Sequence, residues 1–326
     1  MGQAAWRPTA TLATLRMRAQ LLAATRAFFS ERGVLEVETP AMSPAGVSDP
    51  QLEQVSARVR SLGTQPLYLA TSPEHAMKRL LAAGSGDIYQ ICRVFRDDEL
   101  GRWHQPEFTL LEWYRLGWDE SRLMGEVDSL LTTLLAPHRA MGSTLRLSYR
   151  EAFQGQLQID PLDPGGIEAL RERLPGRGIE VPETMGDDEL LNLALGAAVA
   201  PGLDPRRITF VYDFPASQAA LARLKPGPPP VAARFEAFCA GLELANGFDE
   251  LTDEREQRAR FQAERDRRER IGRPTPPLDE ELLAALAHGL PRCAGVAIGL
   301  DRVIALAAGA SALSEAVSFA HAKPSP

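Results

Sequence analysis

The sequence lacks the features typical of secreted and membrane-spanning proteins. It has only 3 cysteines among its 326 residues. Cys92, Cys239 and Cys293 lie far apart and without a metal-binding spacing, so we expect buried, reduced thiols. The start has no signal-peptide hydrophobic region, and the longest uncharged apolar stretch, 190–203, is too short to span a bilayer. These absences predict a cytoplasmic protein with no membrane segment.

An excess of basic residues and internal repetition are also missing. The formal net charge is -7, which argues against the strongly basic surface of a typical nucleic-acid-binding protein. What the chain does have is 44% hydrophobic and 24% charged residues, an ordinary globular composition. Its length allows one large domain or two small ones.

A charged hairpin is predicted between residues 88 and 115. IYQICRVF is rich in β-branched and aromatic residues and predicts a strand, DDELGR predicts a turn, and HQPEFTLLEWYR predicts a second strand. Charges on buried strands need partners from the protein or from a ligand. The hairpin is therefore either the floor of a cleft for a charged ligand or an exposed edge hairpin with a polar face. The charges in question are Arg93, Arg96, Arg102, Glu107, Glu112 and Arg115.

The segments before this hairpin predict two helices, each next to a short strand. Residues 9–32 have helical apolar spacing with Gly33 as a stop signal, and VLEVETP predicts a strand at 34–40. A strand at 68–71 precedes a helix that starts at Ser72-Pro73-Glu74, with Ser72 as the cap. Glu74 either favours the helix N-terminus or binds the ammonium group of a ligand.

The segments after the hairpin are mostly helical. A helix is predicted at 118–135, and residues 149–202 predict a helical insertion rich in proline and glycine in which we find no chemistry. ITFVYDFP predicts a strand at 208–215. Residues 254–272 alternate in charge, which is typical of a solvated helix with ion pairs along its surface.

A second hairpin is predicted at 234–245, around the turn Ala240-Gly241. It would place Glu236 and Glu243 on the same face of adjacent strands. Two such carboxylates repel unless a cation lies between them, and Mg²⁺ often needs only one or two carboxylates plus phosphate oxygens. Asn246, Asp249 and Glu250 are predicted to follow on a turn-like Asn-Gly-Phe element, where they are further ligand-binding residues or loop-capping residues.

The last motif is CAGVAIGLDR. It predicts a strand at 296–298, a tight turn at Gly299 and a helix that starts with Asp301-Arg302. A glycine lets the backbone approach a ligand closely, and a helix N-terminus with an arginine favours phosphate.

Together these motifs resemble the three signatures of class II aminoacyl-tRNA synthetases. FRDDELGRWHQPEFTLLEWY resembles the second signature in its lysyl form, the helix and strand ending in Glu-Thr-Pro resemble the first, and Gly-Leu-Asp-Arg resembles the third. The similarity covers residues 12–319. It implies an α+β class II synthetase catalytic fold, an antiparallel sheet flanked by helices. Residues 1–326 would form a single catalytic domain with the helical insertion near 149–202.

The resemblance also implies roles for individual residues, with ATP and Mg²⁺ as cofactors. Arg96 would contact the α-phosphate, and Phe108 and Arg302 would sandwich adenine, which makes the two arginines catalytic. Glu250 and Asn246 would bind the side-chain ammonium group of lysine. The remaining ATP-site residues would be Asp97, Asp98, Gln105, Leu244 and Gly299, with Glu236 and Glu243 holding Mg²⁺; the remaining substrate-site residues would be Ser72, Pro73, Glu74, Glu112, Tyr114 and Ala297.

Three departures from lysyl-tRNA synthetases narrow the function. We expect no anticodon-binding domain of the OB type before the motifs, Ser72 replaces an alanine, and Ala297 replaces a glycine. In these respects the chain resembles the elongation factor P–(R)-β-lysine ligases. That resemblance implies (R)-β-lysine as substrate, elongation factor P as acceptor, a homodimer, and no stable binding of tRNA or DNA. The alternatives are a truncated adenylate-forming enzyme with a small-molecule or tRNA acceptor, and a non-catalytic synthetase-like regulator.

Two other departures lie near the expected ATP site. Asp97-Asp98 replaces the usual Asn-Glu of the family, and Gln105 replaces an asparagine. An extra carboxylate at Asp97 would weaken phosphate binding unless it faces Mg²⁺ or Arg102.

Overall fold

A nine-stranded mixed sheet lies at the centre of the computed structural model, which describes residues 6–322. The strands of the fold are β1 (Leu35–Glu36), β2 (Met42–Ser43), β3 (Ser56–Ala57), β4 (Leu67–Leu69), β5 (Ile88–Phe95), β6 (Glu107–Leu116), β7 (Leu145–Ser148), β8 (Thr209–Pro215), β9 (Leu224–Lys225), β10 (Val231–Cys239), β11 (Leu242–Asp249) and β12 (Cys293–Gly299). The strand order of the central sheet is β1-β5-β6-β12-β11-β10-β8-β7, with β9 paired to β10. Strands β2, β4 and β3 form a separate small sheet in that order.

Nine α-helices flank the sheet within these described residues. They are α1 (Leu12–Ser30), α2 (Glu74–Ala82), α3 (Glu120–Leu135), α4 (Tyr149–Leu157), α5 (Gly166–Arg173), α6 (Asp187–Ala194), α7 (Glu254–Arg270), α8 (Glu280–Gly289) and α9 (Leu300–Ala307). Over the part of the chain that is described, no helix combines the length and the apolar character that crossing a membrane requires.

The pairing of the strands confirms the predicted fold class. All neighbours from β5 to β8 are antiparallel, while β1 pairs with β5 and β7 pairs with β8 in parallel. The first predicted hairpin consists of β5 and β6, and β6 lies between β5 and β12. The alternative of an exposed edge hairpin is therefore wrong, because β6 has partners on both sides.

The main hydrophobic core lies on one face of the sheet, under α1, α3 and α9. Because side chains alternate along a strand, Leu111 and Trp113 point into this core while their neighbours point to the opposite face. Both are fully buried. Helix α3 adds the apolar stripe that its sequence predicts, and Asp119 caps its N-terminus. This packing leaves the opposite face of β6, β12 and β11 for polar side chains.

Two smaller clusters complete the core. The helices between 149 and 202 are present as predicted, and α4 and α6 pack against β8 and β10. Helices α2, α7 and α8 pack together at one end of the polar face of the sheet. Helix α7 has the expected ion pairs, such as Arg258 with Glu254. It is not solvated on all sides, since Arg268 is buried and donates to the carbonyl oxygens of Asp49 and Leu52.

Several boundaries differ from the sequence-based expectation by a few residues. The first helix spans Leu12–Ser30 with Thr11 as its cap, and the strand predicted at 34–40 is reduced to Leu35–Glu36. The cap of α2 is Pro73 rather than Ser72, although the Ser72 hydroxyl accepts a hydrogen bond from the Glu74 backbone N–H at 3.0 Å.

The Asn246-Gly247 pair was predicted as a turn, and this is wrong. Both residues lie inside β11, and the turn of the hairpin is formed by Ala240 and Gly241, which have φ angles of 52° and 76°. A Cβ on Gly247 would lie 2.4 Å from the Cζ atom of Phe235. Glycine is thus required at 247 because an aromatic ring packs against the strand there.

Candidate active site

One row of facing residues crosses the polar side of the sheet. Glu112 of β6 lies opposite Ala297 of β12, Ala297 lies opposite Asn246 of β11, and Asn246 lies opposite Glu236 of β10. Directly paired residues share a face of a sheet, so side chains from four strands line one surface. Residues that are far apart in the sequence are therefore brought together by strand register.

A cavity of about 230 Å³ opens on this surface. Its walls come from β6, β11 and β12, from the start of α2 and from the loop 43–54. We call it the first cavity. All eight residues expected to bind the amino-acid substrate line it: Ser72, Pro73, Glu74, Glu112, Tyr114, Asn246, Glu250 and Ala297.

Carboxylates dominate the deep part of the first cavity. Glu112 accepts hydrogen bonds from the Ser72 hydroxyl at 2.9 Å and from the Tyr114 hydroxyl at 2.7 Å. Burial, together with the nearby Glu74 carboxylate, raises the pKa of Glu112 to about 8. Burial likewise raises the pKa of Glu250 to about 8, although the Lys78 ammonium acts in the opposite direction. A site with raised carboxyl pKa values is one that a bound cation stabilises in its ionised form.

Lys78 was missed by the sequence analysis. Its Nζ atom lies 2.7 Å from Oε1 of Glu74 and 2.7 Å from Oε2 of Glu250, and the residue is 1% exposed. Burial disfavours its charge, but Glu250 and Glu74 more than offset this and raise its pKa above the ordinary value. The signal in the sequence was the four-residue spacing of Glu74 and Lys78 on a predicted helix, which places both side chains on one face.

Gly295 permits the close packing of the first cavity. A Cβ at this position would lie 2.3 Å from Cε1 of Tyr114 and 2.5 Å from Oε1 of Glu250. The residue also lies opposite Tyr114 in the sheet. The absence of a side chain at 295 is therefore what lets Tyr114 and Glu250 approach the floor of the cavity.

A second cavity, of about 220 Å³, adjoins the first. Arg96, Leu110, Asn246 and Ala297 line both. Of the residues expected to bind ATP, seven line the second cavity: Arg96, Gln105, Phe108, Glu243, Leu244, Gly299 and Arg302. Sequence reasoning missed Glu99, Trp103 and His104, which also line it.

Arg302 lies at the start of α9 and is held from three sides. Its Nη1 donates to the carbonyl oxygen of Glu243 at 2.8 Å, its Nε donates to the carbonyl oxygen of Trp103 at 3.3 Å, and its Nη2 lies 2.7 Å from Nε2 of His104. Burial and the charge of Arg302 lower the pKa of His104, so the neutral ring can accept this hydrogen bond. The guanidinium plane is thereby fixed at the wall of the second cavity.

Asp301, the residue before it, holds the start of α9 to the rest of the fold. Its carboxylate accepts hydrogen bonds from the Thr109 backbone N–H at 2.8 Å and from Arg18 at 2.6 Å. The Arg18 side chain also donates to the Thr109 hydroxyl at 2.7 Å. This buried network joins α1, β6 and α9, so the N-terminus of α9 cannot move independently of the sheet.

Comparison with known proteins gives the family. The model of the class II tRNA synthetases of the D, K and N type matches residues 4–323. The chain is 48% identical over 321 residues to the elongation factor P–(R)-β-lysine ligase of Salmonella gallinarum, and the alignment covers 97% of each chain. The ligase of the same name from Erwinia tasmaniensis is 48% identical over 323 residues, and that from Klebsiella pneumoniae is 48% identical over 321, again with 97% of each chain covered. The chain belongs to this ligase family within the class II tRNA synthetases.

Two residues that the synthetase motif placed near ATP lie elsewhere. Asp97 and Asp98 are exposed and line neither cavity, and Asp98 lies 4.0 Å from Arg273. Glu99 faces the second cavity instead and pairs with Arg96 at 3.1 Å. The replacement of Asn-Glu by Asp97-Asp98 therefore adds no side chain to the cavity walls.

The second cavity suits a phosphate group of the kind that a synthetase binds. Arg96 lines it, and the buried Nε atom of Arg96 has no hydrogen-bond partner among residues 6–322. A buried donor without a partner is costly, and an anionic oxygen would satisfy it. The Arg96 guanidinium lies over the aromatic ring of Phe108, 5.1 Å from the ring centroid, and Phe108 lines the same cavity.

The two carboxylates expected to hold Mg²⁺ lie close together but differ in exposure. Glu243 lines the second cavity, whereas Glu236 is buried and pairs with Arg234 at 2.5 Å. Burial and the charge of Glu243 raise the pKa of Glu236 to about 7. No cluster of three or more His, Cys, Asp or Glu side chains suited to a metal occurs within residues 6–322. Mg²⁺ often takes only one or two carboxylates from a protein and completes its coordination with phosphate oxygens and water, so two carboxylates are enough for the expected ion.

Proposed function

We propose that this chain is an ATP-dependent ligase that activates (R)-β-lysine as an adenylate and transfers it to a lysine side chain of elongation factor P. The observation that carries the proposal is the connection of two cavities that offer different charged groups. The first is lined by Glu74, Glu112 and Glu250, and the second by Arg302 with Glu243, while Arg96 lines both. An acidic pocket for a diamino acid thus opens into a pocket with two arginines for a nucleotide and a carboxylate for its metal ion. The relatives named elongation factor P–(R)-β-lysine ligases support the same substrates.

The proposed reaction has two steps. In the first, a carboxylate oxygen of β-lysine forms a bond to the α-phosphorus of ATP, and the bond to the pyrophosphate oxygen breaks. In the second, the acceptor amine forms a bond to the activated carbonyl carbon, AMP leaves with its oxygen, and the amine loses a proton. Because two anions must meet in the first step, its catalysis is mainly positioning and charge stabilisation.

The residues of this chain would supply both effects. Arg96 lies where the two cavities meet, so it can hold the α-phosphate against the substrate carboxylate. Arg302 and Phe108 would enclose the adenine ring. Glu236 and Glu243 would hold Mg²⁺, which supplies positive charge to the phosphates. No step of this chemistry needs a covalent nucleophile from the protein.

The organisation of the chain is part of the proposal. We infer that residues 1–326 act as one catalytic domain and that the helices of 149–202 are an insertion, which packs on β8 and β10. The first signature, α1 and β1, would form the interface of a homodimer. We further infer that the protein acts in the cytoplasm and forms no stable complex with tRNA or DNA.

Pyrophosphate exchange tests the activation step. The purified protein is assayed with (R)-β-lysine, with α-lysine and without an amino acid, and exchange is expected to be fastest with (R)-β-lysine. Exchange far faster with α-lysine would contradict the assignment of the substrate. No exchange with either would favour the non-catalytic regulator.

Intact mass spectrometry of elongation factor P tests the transfer step. Incubation with the enzyme, ATP and (R)-β-lysine should add the mass of one β-lysyl group to the acceptor. An acceptor of unchanged mass, combined with active exchange, would point to a tRNA or a small molecule as the acceptor instead.

A further inference from the structure

Lys78 connects two carboxylates that the proposed function gives to different parts of one substrate. Glu74, at the start of α2, would bind one amino group of the lysine-like substrate, and Glu250, just after β11, would bind the other. The Lys78 ammonium lies 2.7 Å from an oxygen of each. A pair at positions i and i+4 on a helix is ordinarily a weak surface interaction. The pair of Glu74 and Lys78 differs, because Lys78 is buried and also contacts Glu250, which lies outside the helix.

We propose that Lys78 is a positioning residue that adapts the first cavity to amino acids carrying two ammonium groups. The inference rests on the proposed function and deepens it, because it names what makes this cavity selective for a diamino acid. Lys78 lies beside the cavity rather than among the residues that line it, so it acts through Glu74 and Glu250.

The geometry leaves one oxygen of each carboxylate for the substrate. Lys78 contacts Oε1 of Glu74 and Oε2 of Glu250. The other oxygen of Glu250, Oε1, is the one that faces Gly295 on the floor of the first cavity. Lys78 therefore restrains both carboxylates, Glu74 through a hydrogen bond and Glu250 through an ion pair, and with them the separation of the two positions at which an ammonium group can bind.

The charged groups of the first cavity also favour a substrate with two ammonium groups. Glu74, Glu112 and Glu250 line the deep part of the first cavity, and the Lys78 ammonium pairs with two of these three carboxylates. A substrate with two ammonium groups brings two further cationic partners to this cluster, whereas a monoamino acid brings only one. Leaving buried polar groups unpaired is what lets a binding site reject an analogue strongly.

The choice of lysine at this position is unusual for the chain. Of its 36 basic residues, all except Lys78, Lys225 and Lys323 are arginines. A compact ammonium group contacts two carboxylates as a point charge, whereas the planar guanidinium of arginine favours bidentate pairing with one. Position 78 thus favours an ammonium group, the same group with which the substrate would contact Glu74 and Glu250.

The test compares Lys78→Met with Lys225→Met. Lys225 pairs with Glu120 at 2.8 Å and lines neither cavity, so it controls for the loss of a partly buried lysine. In pyrophosphate exchange, Lys78→Met should raise the KM for (R)-β-lysine by about 100-fold or more, as expected when one partner of a buried ion pair is removed. The KM for ATP should stay within about twofold of the wild type. Lys225→Met should change neither.

Lys78→Ala provides a second readout. Ethylammonium added to the assay should restore a measurable part of the affinity for (R)-β-lysine, and tetramethylammonium, which cannot donate a hydrogen bond, should not. An unchanged KM for (R)-β-lysine in Lys78→Met would overturn the inference. So would an equal loss of affinity for ATP, which would assign Lys78 a purely structural role.

Calorimetric binding of (R)-β-lysine and α-lysine separates this inference from the proposed function. If the wild type binds a diamino acid but catalyses no exchange, the ligase proposal fails, and the comparison of the wild type with Lys78→Met in binding still decides the role of Lys78. If the wild type is active and the variant binds (R)-β-lysine equally well, only the role of Lys78 is refuted.

Discussion

Arg302 donates a hydrogen bond from Nη1 to the backbone carbonyl oxygen of Glu243 over 2.8 Å, which joins the start of α9 to β11. The arginine expected to contact the nucleotide and the glutamate expected to hold its metal are thus fixed to each other before any ligand binds. Asp301 adds the connection of α9 to β6. A site that is fixed in advance stabilises charge without a cost of reorganisation.

The first prediction concerns Arg302→Ala. The substitution removes a positive charge from the wall of the second cavity, while the hydrogen bonds of Asp301 that anchor α9 remain. Adenylate formation, measured by pyrophosphate exchange, should fall by at least ~100-fold, the usual cost of losing one such electrostatic contact. The far-UV circular dichroism spectrum should not change.

Arg93→Ala is the matched control for Arg302→Ala. Arg93 is also an arginine of the signature segment, but its side chain is 50% exposed and lies 3.6 Å from Glu107 on the surface. Exchange by Arg93→Ala should remain within about twofold of the wild type, since exposed ion pairs contribute little. Equal losses in the two variants would argue against a specific role for Arg302.

The sequence predicted most of the strands and helices that carry the candidate site because these elements depend on local patterns. The two charged hairpins, the Asp301-Arg302 helix start and the helix over 120–135 carry strong signals in alternation, turns and caps. Register then brings these segments together, and the resemblance to a known family indicated how. The row from Glu112 to Glu236 could not have been derived from composition or periodicity alone, because it depends on the order of the strands.

The errors have physical reasons of their own. Asn246-Gly247 has the composition of a turn, but the glycine is needed because of the ring of Phe235, which is a tertiary contact. In the sequence, Lys78 resembles one partner of an exposed ion pair with Glu74 on a helix surface. Only the fold brings Glu250 next to it. Asp97 and Asp98 were named from the resemblance to a motif, and in the structure their side chains are exposed while Glu99 lines the second cavity.

The second prediction concerns pH. The pKa values of Glu112 and Glu250 are raised from 4.5 to about 8 in the folded protein. Between these limits the folded state binds more protons than the unfolded state, so the free energy of unfolding must fall as the pH rises. Each carboxyl contributes a slope of at most ~1.4 kcal/mol per pH unit. The melting temperature of the ligand-free protein should therefore fall between pH 6 and pH 8.

Glu112→Gln and a bound amino acid test the origin of this slope. Glutamine does not ionise, so the variant should lose part of the fall in melting temperature, whereas Glu107→Gln, on the exposed surface, should retain all of it. Lysine or (R)-β-lysine should stabilise the wild type more at pH 8 than at pH 6, because the ammonium groups favour the ionised carboxylates. A melting temperature that is constant or rises across this range would contradict the prediction.

The third prediction concerns Ala297→Gly. The Ala297 methyl group lies between Glu112 and Asn246 on the floor of both cavities. Its removal should widen the first cavity and raise the use of α-lysine relative to (R)-β-lysine. A single methyl group limits such discrimination to ~1–3 kcal/mol, or ~10- to 200-fold in kcat/KM. Pyrophosphate exchange with each amino acid measures the ratio.

Ala294→Gly controls for the cost of a glycine in β12. Ala294 lies on the same strand but is buried in the main core and lines neither cavity. It should lower the melting temperature without changing the ratio of the two amino acids. An unchanged ratio in Ala297→Gly would show that this methyl group does not contact the substrate.

The fourth prediction concerns Gly295→Ala and separates the two cavities. The new methyl group would lie 2.3 Å from Cε1 of Tyr114 and 2.5 Å from Oε1 of Glu250, so both side chains would have to move. Binding of (R)-β-lysine, measured by calorimetry, should weaken by at least ~10-fold, comparable to ~1–3 kcal/mol for an overpacked site. Binding of ATP should change little, since Gly295 does not line the second cavity.

Gly299→Ala adds the same methyl group to the same strand without a clash. The nearest atom to its Cβ would be Cδ of Arg302, at an ordinary contact distance of 3.8 Å. This variant should bind (R)-β-lysine as the wild type does. If Gly295→Ala also binds it normally, Tyr114 and Glu250 do not form the amino-acid site, because their displacement would then have no effect on the ligand. If both variants lose binding alike, the effect comes from stiffening or distortion of β12 rather than from the contact of Gly295 with these two side chains.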